Sequence, residues 1–142
     1  MSWPASRPPR SLLEHHPQVI DLARIIKHAF GVDVARAGQD SHDMPFGVVL
    51  THDGELRTVE HASGASLEGV IEQIEAQIWS LRPVLRACAR CCHVDLKIAG
   101  STFESALRVQ AEHLVGPPLD AFLPLGDDEG WWVEAGAPGI LA

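Results

Sequence analysis

The chain has 142 residues, 46% of them hydrophobic and 21% charged, and its formal net charge is −8 at neutral pH. This length allows one domain with one core, and the composition is that of a folded globular protein, which excludes a disordered chain. Nucleic-acid backbones and anionic membrane surfaces repel an acidic protein, so neither is expected as the main partner, whereas a basic protein partner is permitted.

Three cysteines lie within five positions, at Cys88, Cys91 and Cys92. A disulfide framework needs well-separated pairs, so this cluster predicts reduced thiols. The first residues lack the apolar segment of an export signal, and no later stretch approaches a membrane-spanning length. We therefore expect a cytoplasmic protein with a flexible tail at 1–10, one domain at 11–133 and a C-terminal tail at 134–142.

The first predicted helix begins near Pro17, because proline is tolerated at the first helical position. A helix that began at the Ser11 capping box would place this proline in its interior. Gly31 predicts the C-terminal end. The apolar residues between them recur at helical spacing: Val19, Leu22, Ala23, Ile26 and Phe30.

A β-hairpin and a second helix follow the polar stretch 37–44. Residues 46–51 and 56–61 are strand-like, and Asp53-Gly54 between them suits a two-residue turn because it tolerates positive φ. Ser66 can cap the second helix and Pro83 ends it. One face of this helix is apolar and is expected to pack on a sheet: Leu67, Val70, Ile71, Ile74, Ile78 and Leu81.

Three further strands are predicted at 94–98, 107–112 and 119–123, the last of which Pro124 closes as an edge strand. The cysteines then fall where the second helix gives way to a strand. The predicted order is α-β-β-α-β-β-β. We expect an α+β fold in which a five-stranded, mostly antiparallel sheet carries two main helices on one face.

One pattern points to metal chemistry. His-Ala-Ser at 61–63 follows the hairpin, and Cys-Ala-Arg-Cys at 88–91 follows the second helix. This arrangement resembles the zinc-dependent cytidine and nucleobase deaminases, in which one His and two Cys hold the zinc and a Glu moves protons. The chain departs from that family at Ser63, which replaces the Glu, and at Ala87, which replaces a Pro. The resemblance implies a degenerate, inactive relative whose zinc ligands are His61, Cys88 and Cys91.

The other interpretation of the cysteines is structural. Free cysteine is among the most buried residue types, and the three thiols can be small apolar side chains at the start of a strand. A single CxxC motif without a second pair is a weak zinc signal. Both interpretations stay open at this point.

A tryptophan pair, Trp131 and Trp132, follows an acidic run made of Asp127, Asp128 and Glu129. The pair either folds back over the open face of the sheet or forms an exposed patch ringed by carboxylates. Tryptophan is enriched among the residues that dominate interface energies. The second arrangement would suit a basic protein partner.

Two functional hypotheses follow. In the first, the chain is a non-catalytic protein that binds a protein partner, as an adaptor or as an inhibitor in the manner of toxin-immunity proteins. The binding surface would be the free sheet face, the acidic helix or the tryptophan pair, and a second copy paired at a sheet edge is a further candidate partner. The element order also resembles profilin-like and roadblock-type adaptors, which supports this hypothesis by fold analogy.

The second hypothesis is the degenerate deaminase-like domain that holds zinc. Its weakness is that no carboxylate stands where the family has its proton-moving Glu, and a serine hydroxyl is far too weak an acid to replace it. The sequence offers no complete catalytic set. It therefore favours a non-enzymatic role without deciding the question.

Overall fold

A computed structural model describes residues 10–39, 44–61, 66–98, 102–124 and 130–141. The fold is α+β, with one antiparallel sheet and helices. The helices are α1 (Ser11–Glu14), α2 (Val19–Arg36) and α3 (Leu67–Leu81), with a short 3₁₀ turn at Arg82–Val84. The strands are β1 (Phe46–Thr51), β2 (Leu56–Val59), β3 (Leu85–Ile98), β4 (Thr102–His113), β5 (Leu119–Pro124) and β6 (Trp132–Ala135).

The sheet has six strands in the order β2-β1-β3-β4-β5-β6, and every neighbouring pair is antiparallel. The prediction of five strands omits β6, because the residues of this strand were predicted to be part of the tryptophan pair and the start of the C-terminal tail. Trp132 of β6 pairs with Phe122 of β5. Strand β5 is therefore an interior strand, and the prediction that Pro124 marks an edge was wrong.

The helices cover opposite faces of the sheet, which corrects the prediction that both lie on one face. Along β1, Val48 belongs to the core under α2 and Val49 to the core under α3. Successive side chains of a strand point to opposite faces, so β1 is buried on both sides. Gly47 allows α3 to approach closely, because a Cβ there would lie 3.1 Å from side-chain atoms of Ile74 and Ile78.

The cysteines lie inside a long strand and not at a helix-to-strand junction. Helix α3 ends at Leu81, and Pro83 lies in the 3₁₀ turn that follows. Strand β3 then starts at Leu85, well before the predicted start at residue 94. The prediction failed because small apolar residues on both faces of β3 give no clean alternation of apolar and polar residues.

Helix α2 continues past Gly31 to Arg36, so the predicted stop was wrong. A glycine in a helix interior costs only about 1 kcal/mol, and the contacts of Asp33 with His93 and of Arg36 with Met44 in the following turns offset it. The Ser11 segment forms one helical turn, α1, which ends before Pro17. Helix α2 then begins at Val19, close to the predicted position.

Residues 1–9 lie outside the described residues, and with them nearly all of the predicted N-terminal tail. The segment predicted as a C-terminal tail includes the end of β6. Beyond it, Ile140 is buried in the α3 core, and the Glu112 carboxylate accepts hydrogen bonds from the backbone N–H groups of Ile140 and Leu141. No helix in the described ranges is long and apolar enough to cross a membrane.

Candidate functional site

The three predicted zinc ligands are not brought together. Cys88 lies in the core under α3, whereas Cys91 lies in the core under α2, on the other face of the sheet. His61 lies beyond the end of β2, half-buried in a groove that Arg36 and Glu60 also line. Among the described residues, no three His, Cys, Asp or Glu side chains lie close enough to hold one metal ion. Ser63 lies outside the described residues.

The thiols also lack the electrostatic environment of metal ligands. Burial raises the pKa of Cys88 and of Cys91 well above the ordinary value for a thiol. Burial raises the pKa of the half-buried Cys92 as well, although Arg108 and Arg90 oppose the shift. Zinc binds thiolates, and reactive cysteines have lowered pKa values. The three cysteines therefore suit a role as packing residues.

An Asp–His pair joins α2 to the end of β4. The Asp21 carboxylate accepts hydrogen bonds from His113 Nε2 at 2.8 Å and from two nitrogens of Arg86 at 3.0 Å. His113 Nδ1 in turn accepts the backbone N–H of Val115. Burial alone would raise the pKa of Asp21, but the hydrogen bonds from Arg86 and His113 outweigh it and lower the pKa. Because both imidazole nitrogens are used, this pair does not offer a general base.

A second Asp–His pair, Asp33 with His93, joins α2 to β3 at an oxygen–nitrogen distance of 2.5 Å. One turn later, Arg36 donates to the carbonyl of Met44 at 3.0 Å and to Glu60 at 3.3 Å. These contacts connect the C-terminal half of α2 to the sheet and the hairpin. They explain why charged residues are buried under this helix.

The tryptophan pair faces the protein interior more than the solvent. Trp132 is 2% exposed and stacks on Phe122, with ring centroids 5.4 Å apart. Trp131 is half-buried, meets the ring of Phe30 edge-on, and carries the Arg10 guanidinium 3.9 Å from its ring centroid. The predicted carboxylate ring, Asp127 to Glu129, lies outside the described residues. Trp132 therefore has almost no surface left for a partner.

A different tryptophan is exposed. Trp79 lies on the outer side of α3 with 54% of its surface accessible, and the Arg82 guanidinium stacks 3.7 Å from its ring centroid. Glu68 and Glu72 are exposed on the same side, because residues three and four positions apart on a helix are neighbours. Ile71, 37% exposed, borders them. We call these residues with Arg82 the α3 face.

The α3 face results from the helical period. Val70, Ile74 and Ile78 form the buried row, and the next residue, Trp79, is rotated by about 100° from Ile78 toward solvent. Sequence reasoning named the acidic helix as a candidate surface but missed Trp79. The signal was present, since this large aromatic residue falls outside the apolar row of an otherwise regular amphipathic helix.

Comparisons with protein-family models, with curated proteins and with solved structures found no match. A function must therefore be argued from the geometry itself. The α3 face exposes a tryptophan among carboxylates, while the predicted zinc set is dispersed and the tryptophan pair is largely packed.

Proposed function

We propose that this chain is a non-catalytic protein that binds a basic protein partner through the α3 face. The observation that carries the proposal is the exposure of Trp79 among carboxylates on a helix whose other side is fixed to the sheet. The partner would bury Trp79 and pair its own basic side chains with Glu68 and Glu72.

The energetic argument rests on the tryptophan. The residues that dominate binding energy are enriched in Trp and Arg, and truncation of such a residue to alanine typically costs about 2 kcal/mol or more. Trp79 and Arg82 stack on each other in the unbound chain. A side chain that is already held in place loses less conformational entropy on binding.

The charge argument sets the chemistry of the partner. The chain carries a net charge of −8, and the exposed carboxylates Glu68 and Glu72 lie on the α3 face itself. Complementary charge raises association rates and discriminates against acidic partners. A protein with a basic surface and an apolar recess for an indole ring fits this face.

The histidine geometry supports a role without catalysis. Within the described residues, the ring nitrogens of His113 are occupied by Asp21 and Val115, and His93 is paired with Asp33. Both pairs link α2 to the sheet, a structural role that suits a binding protein.

The proposal is tested by photocrosslinking in the cells that express the chain. A photoreactive residue at Ala76, exposed one turn before Trp79, should capture one basic protein, and the same residue at Lys27 on α2 should not. Lys27 is a matched control because it is exposed on the helix that covers the other face of the sheet.

Capture at Ala76 should disappear when Trp79→Ala or Glu72→Lys is added, and the captured protein should bind the purified chain directly. Equal capture from both positions, or capture at Ala76 that survives Trp79→Ala, would overturn the proposal. Circular dichroism of each variant shows whether α3 has stayed folded.

A further inference from the structure

A cleft opens between α3 and the sheet, beside the α3 face, with which it shares Ile71. Its volume is about 60 Å³, well below the roughly 300–1,000 Å³ of sites for drug-sized ligands, so it admits a small ligand or a few water molecules. The side chains that matter for its chemistry come from three elements: Ile71, Ile74 and Glu75 of α3, Arg90 and Cys92 of β3, and Gln110 of β4. The helix supplies the apolar wall and the strands supply the polar floor.

The guanidinium of Arg90 has an unfilled hydrogen-bonding capacity. Its Nε is buried and has no hydrogen-bond partner among the residues that the structure describes. The carboxylate of Glu75 lies 3.8 Å from Nη1, which is an ion pair but beyond hydrogen-bond distance. A buried donor without an acceptor costs about 1–3 kcal/mol. An acceptor oxygen that enters the cleft would recover this cost.

The neighbouring carboxylate does not fill that capacity. Glu112 is buried on β4, but its oxygens accept the backbone N–H groups of Ile140 and Leu141. Arg90 and Gln110 face each other in the β3–β4 register, so both side chains lie on the same side of the sheet, and both line the cleft. The two side chains together present donors to one small ligand.

We propose that this cleft binds a small organic monocarboxylate, with its carboxylate on Arg90 and Gln110 and its apolar body against Ile71 and Ile74. A planar guanidinium matches a carboxylate with two parallel hydrogen bonds. A dianion such as phosphate fits less well, because Glu75 is ion-paired with the guanidinium and the Glu112 carboxylate borders Gly139 together with Arg90 Nη2. One negative charge and a compact apolar body suit the cleft.

A ligand carboxylate in this cleft would share the Arg90 guanidinium with the carboxylate of Glu75. The Glu75 side chain is 42% exposed, so it can turn toward solvent when a ligand carboxylate arrives. Removal of this charge by Glu75→Gln should tighten the binding of a carboxylate several-fold and leave the binding of a neutral amide unchanged. Gln110→Glu, which keeps the size of the side chain, should abolish carboxylate binding by adding a repelling charge.

The test is a calorimetric titration of the full chain with monocarboxylates of increasing size, from butyrate and 4-methylpentanoate to phenylacetate. The matched primary amides and inorganic phosphate serve as controls. At least one acid should bind one-to-one with a dissociation constant below about 1 mM, and it should slow the alkylation of Cys92, which lines the cleft. The Arg90→Met variant should lose both effects, and its melting temperature shows whether it has folded.

The titration with carboxylates tests the cleft separately from the partner-binding proposal. Gln110→Glu changes a residue of β4 and leaves the α3 face unaltered. If no acid binds, if amides or phosphate bind as tightly as the acids, or if Glu75→Gln weakens binding, the carboxylate proposal is wrong. Glu75→Gln and Gln110→Glu keep the claim testable even if Arg90→Met fails to fold.

Discussion

Cys88 and Cys91 lie three residues apart on β3 and belong to the two different cores on either side of the sheet. An odd separation on a strand places two side chains on opposite faces. The CxxC spacing, which on a turn can bring two thiols to one metal ion, here separates them by the thickness of the sheet. This relationship removes the geometric basis of the zinc hypothesis and leaves the surface of the molecule as the candidate for function.

The first prediction concerns thiol reactivity. In the native protein, iodoacetamide should modify Cys92 alone, and slowly, because burial raises its pKa and leaves it only half accessible. Cys88 and Cys91 should react only after unfolding. Mass spectrometry of native and guanidinium-treated samples gives the number of alkylated cysteines. Fast labelling of Cys88 or Cys91 in the native protein would contradict the placement of β3.

The second prediction tests the core under α3. Ile74 is 2% exposed in the buried row, so Ile74→Asp places an unpaired charge in an apolar environment. We expect a loss of about 4 kcal/mol or more in the free energy of unfolding, which would unfold a marginally stable domain. Ala76→Asp, at an exposed position of the same helix, is the control and should cost only about 1 kcal/mol, from its lower helix propensity and its repulsion by Glu72. Equal stability of the two variants would mean that the helix is rotated.

The third prediction concerns acid stability. The folded-state pKa of Asp21 is lowered from the ordinary value of 3.8, so its charged form stabilises the fold above that pH, and the stabilisation is lost as the pH falls further. Asp21→Asn should lower the free energy of unfolding near pH 7 by about 1–3 kcal/mol. It should also flatten the dependence of stability on pH below pH 3.8. Urea titrations across this range provide the comparison, and an unchanged pH profile would show that Asp21 is not the group responsible.

The fourth prediction concerns the segment after β6. Both oxygens of Glu112 accept backbone N–H groups, from Ile140 and Leu141, and an amide has only one oxygen that can accept. Glu112→Gln should therefore release one of these contacts and speed hydrogen exchange at the two amides. Glu72→Gln, at an exposed position, is the control and should leave exchange at both amides as it is. If hydrogen exchange at Ile140 and Leu141 stays slow in Glu112→Gln, the Glu112 carboxylate is not what holds these residues against the sheet.

Much of the fold follows from local sequence signals. The Asp53-Gly54 turn predicted the β1–β2 hairpin, and Ser66 caps α3 as expected, accepting the N–H of Gly69 at 3.2 Å. These features are local, because a turn and a cap depend on neighbouring residues only. The amphipathic row of α3 was read correctly at Val70, Ile74 and Ile78, which are buried, but Leu67 and Ile71 of the predicted row are exposed.

The arrangement of the helices on the sheet was not read correctly, although one signal pointed to it. Residues 46–51 form an apolar run without alternation, and such strands are typical of sheets that are covered on both faces. This apolar run indicates that both faces of β1 are covered, as α2 and α3 cover them in the structure.

The candidate site was only partly predictable. Trp79 stands out from its helix by position, but the Arg90 cleft depends on the register between β3 and β4 and on the packing of α3 over them. These contacts join residues far apart in the sequence, and no local pattern specifies them. The CxxC motif led to a wrong expectation, because two residues three positions apart can converge on a turn but point to opposite faces of the sheet on a strand.

The fifth prediction addresses the α3 face directly and uses the purified protein captured at Ala76. Titration calorimetry of that protein against the wild-type chain and the Trp79→Ala variant should show at least about a tenfold loss of affinity in the variant, the equivalent of ~1.4 kcal/mol. Glu72→Lys should weaken binding as well, and Lys27→Ala should leave it unchanged. Unchanged affinity in Trp79→Ala, with the helix intact by circular dichroism, would show that the chain does not use this face to bind a partner.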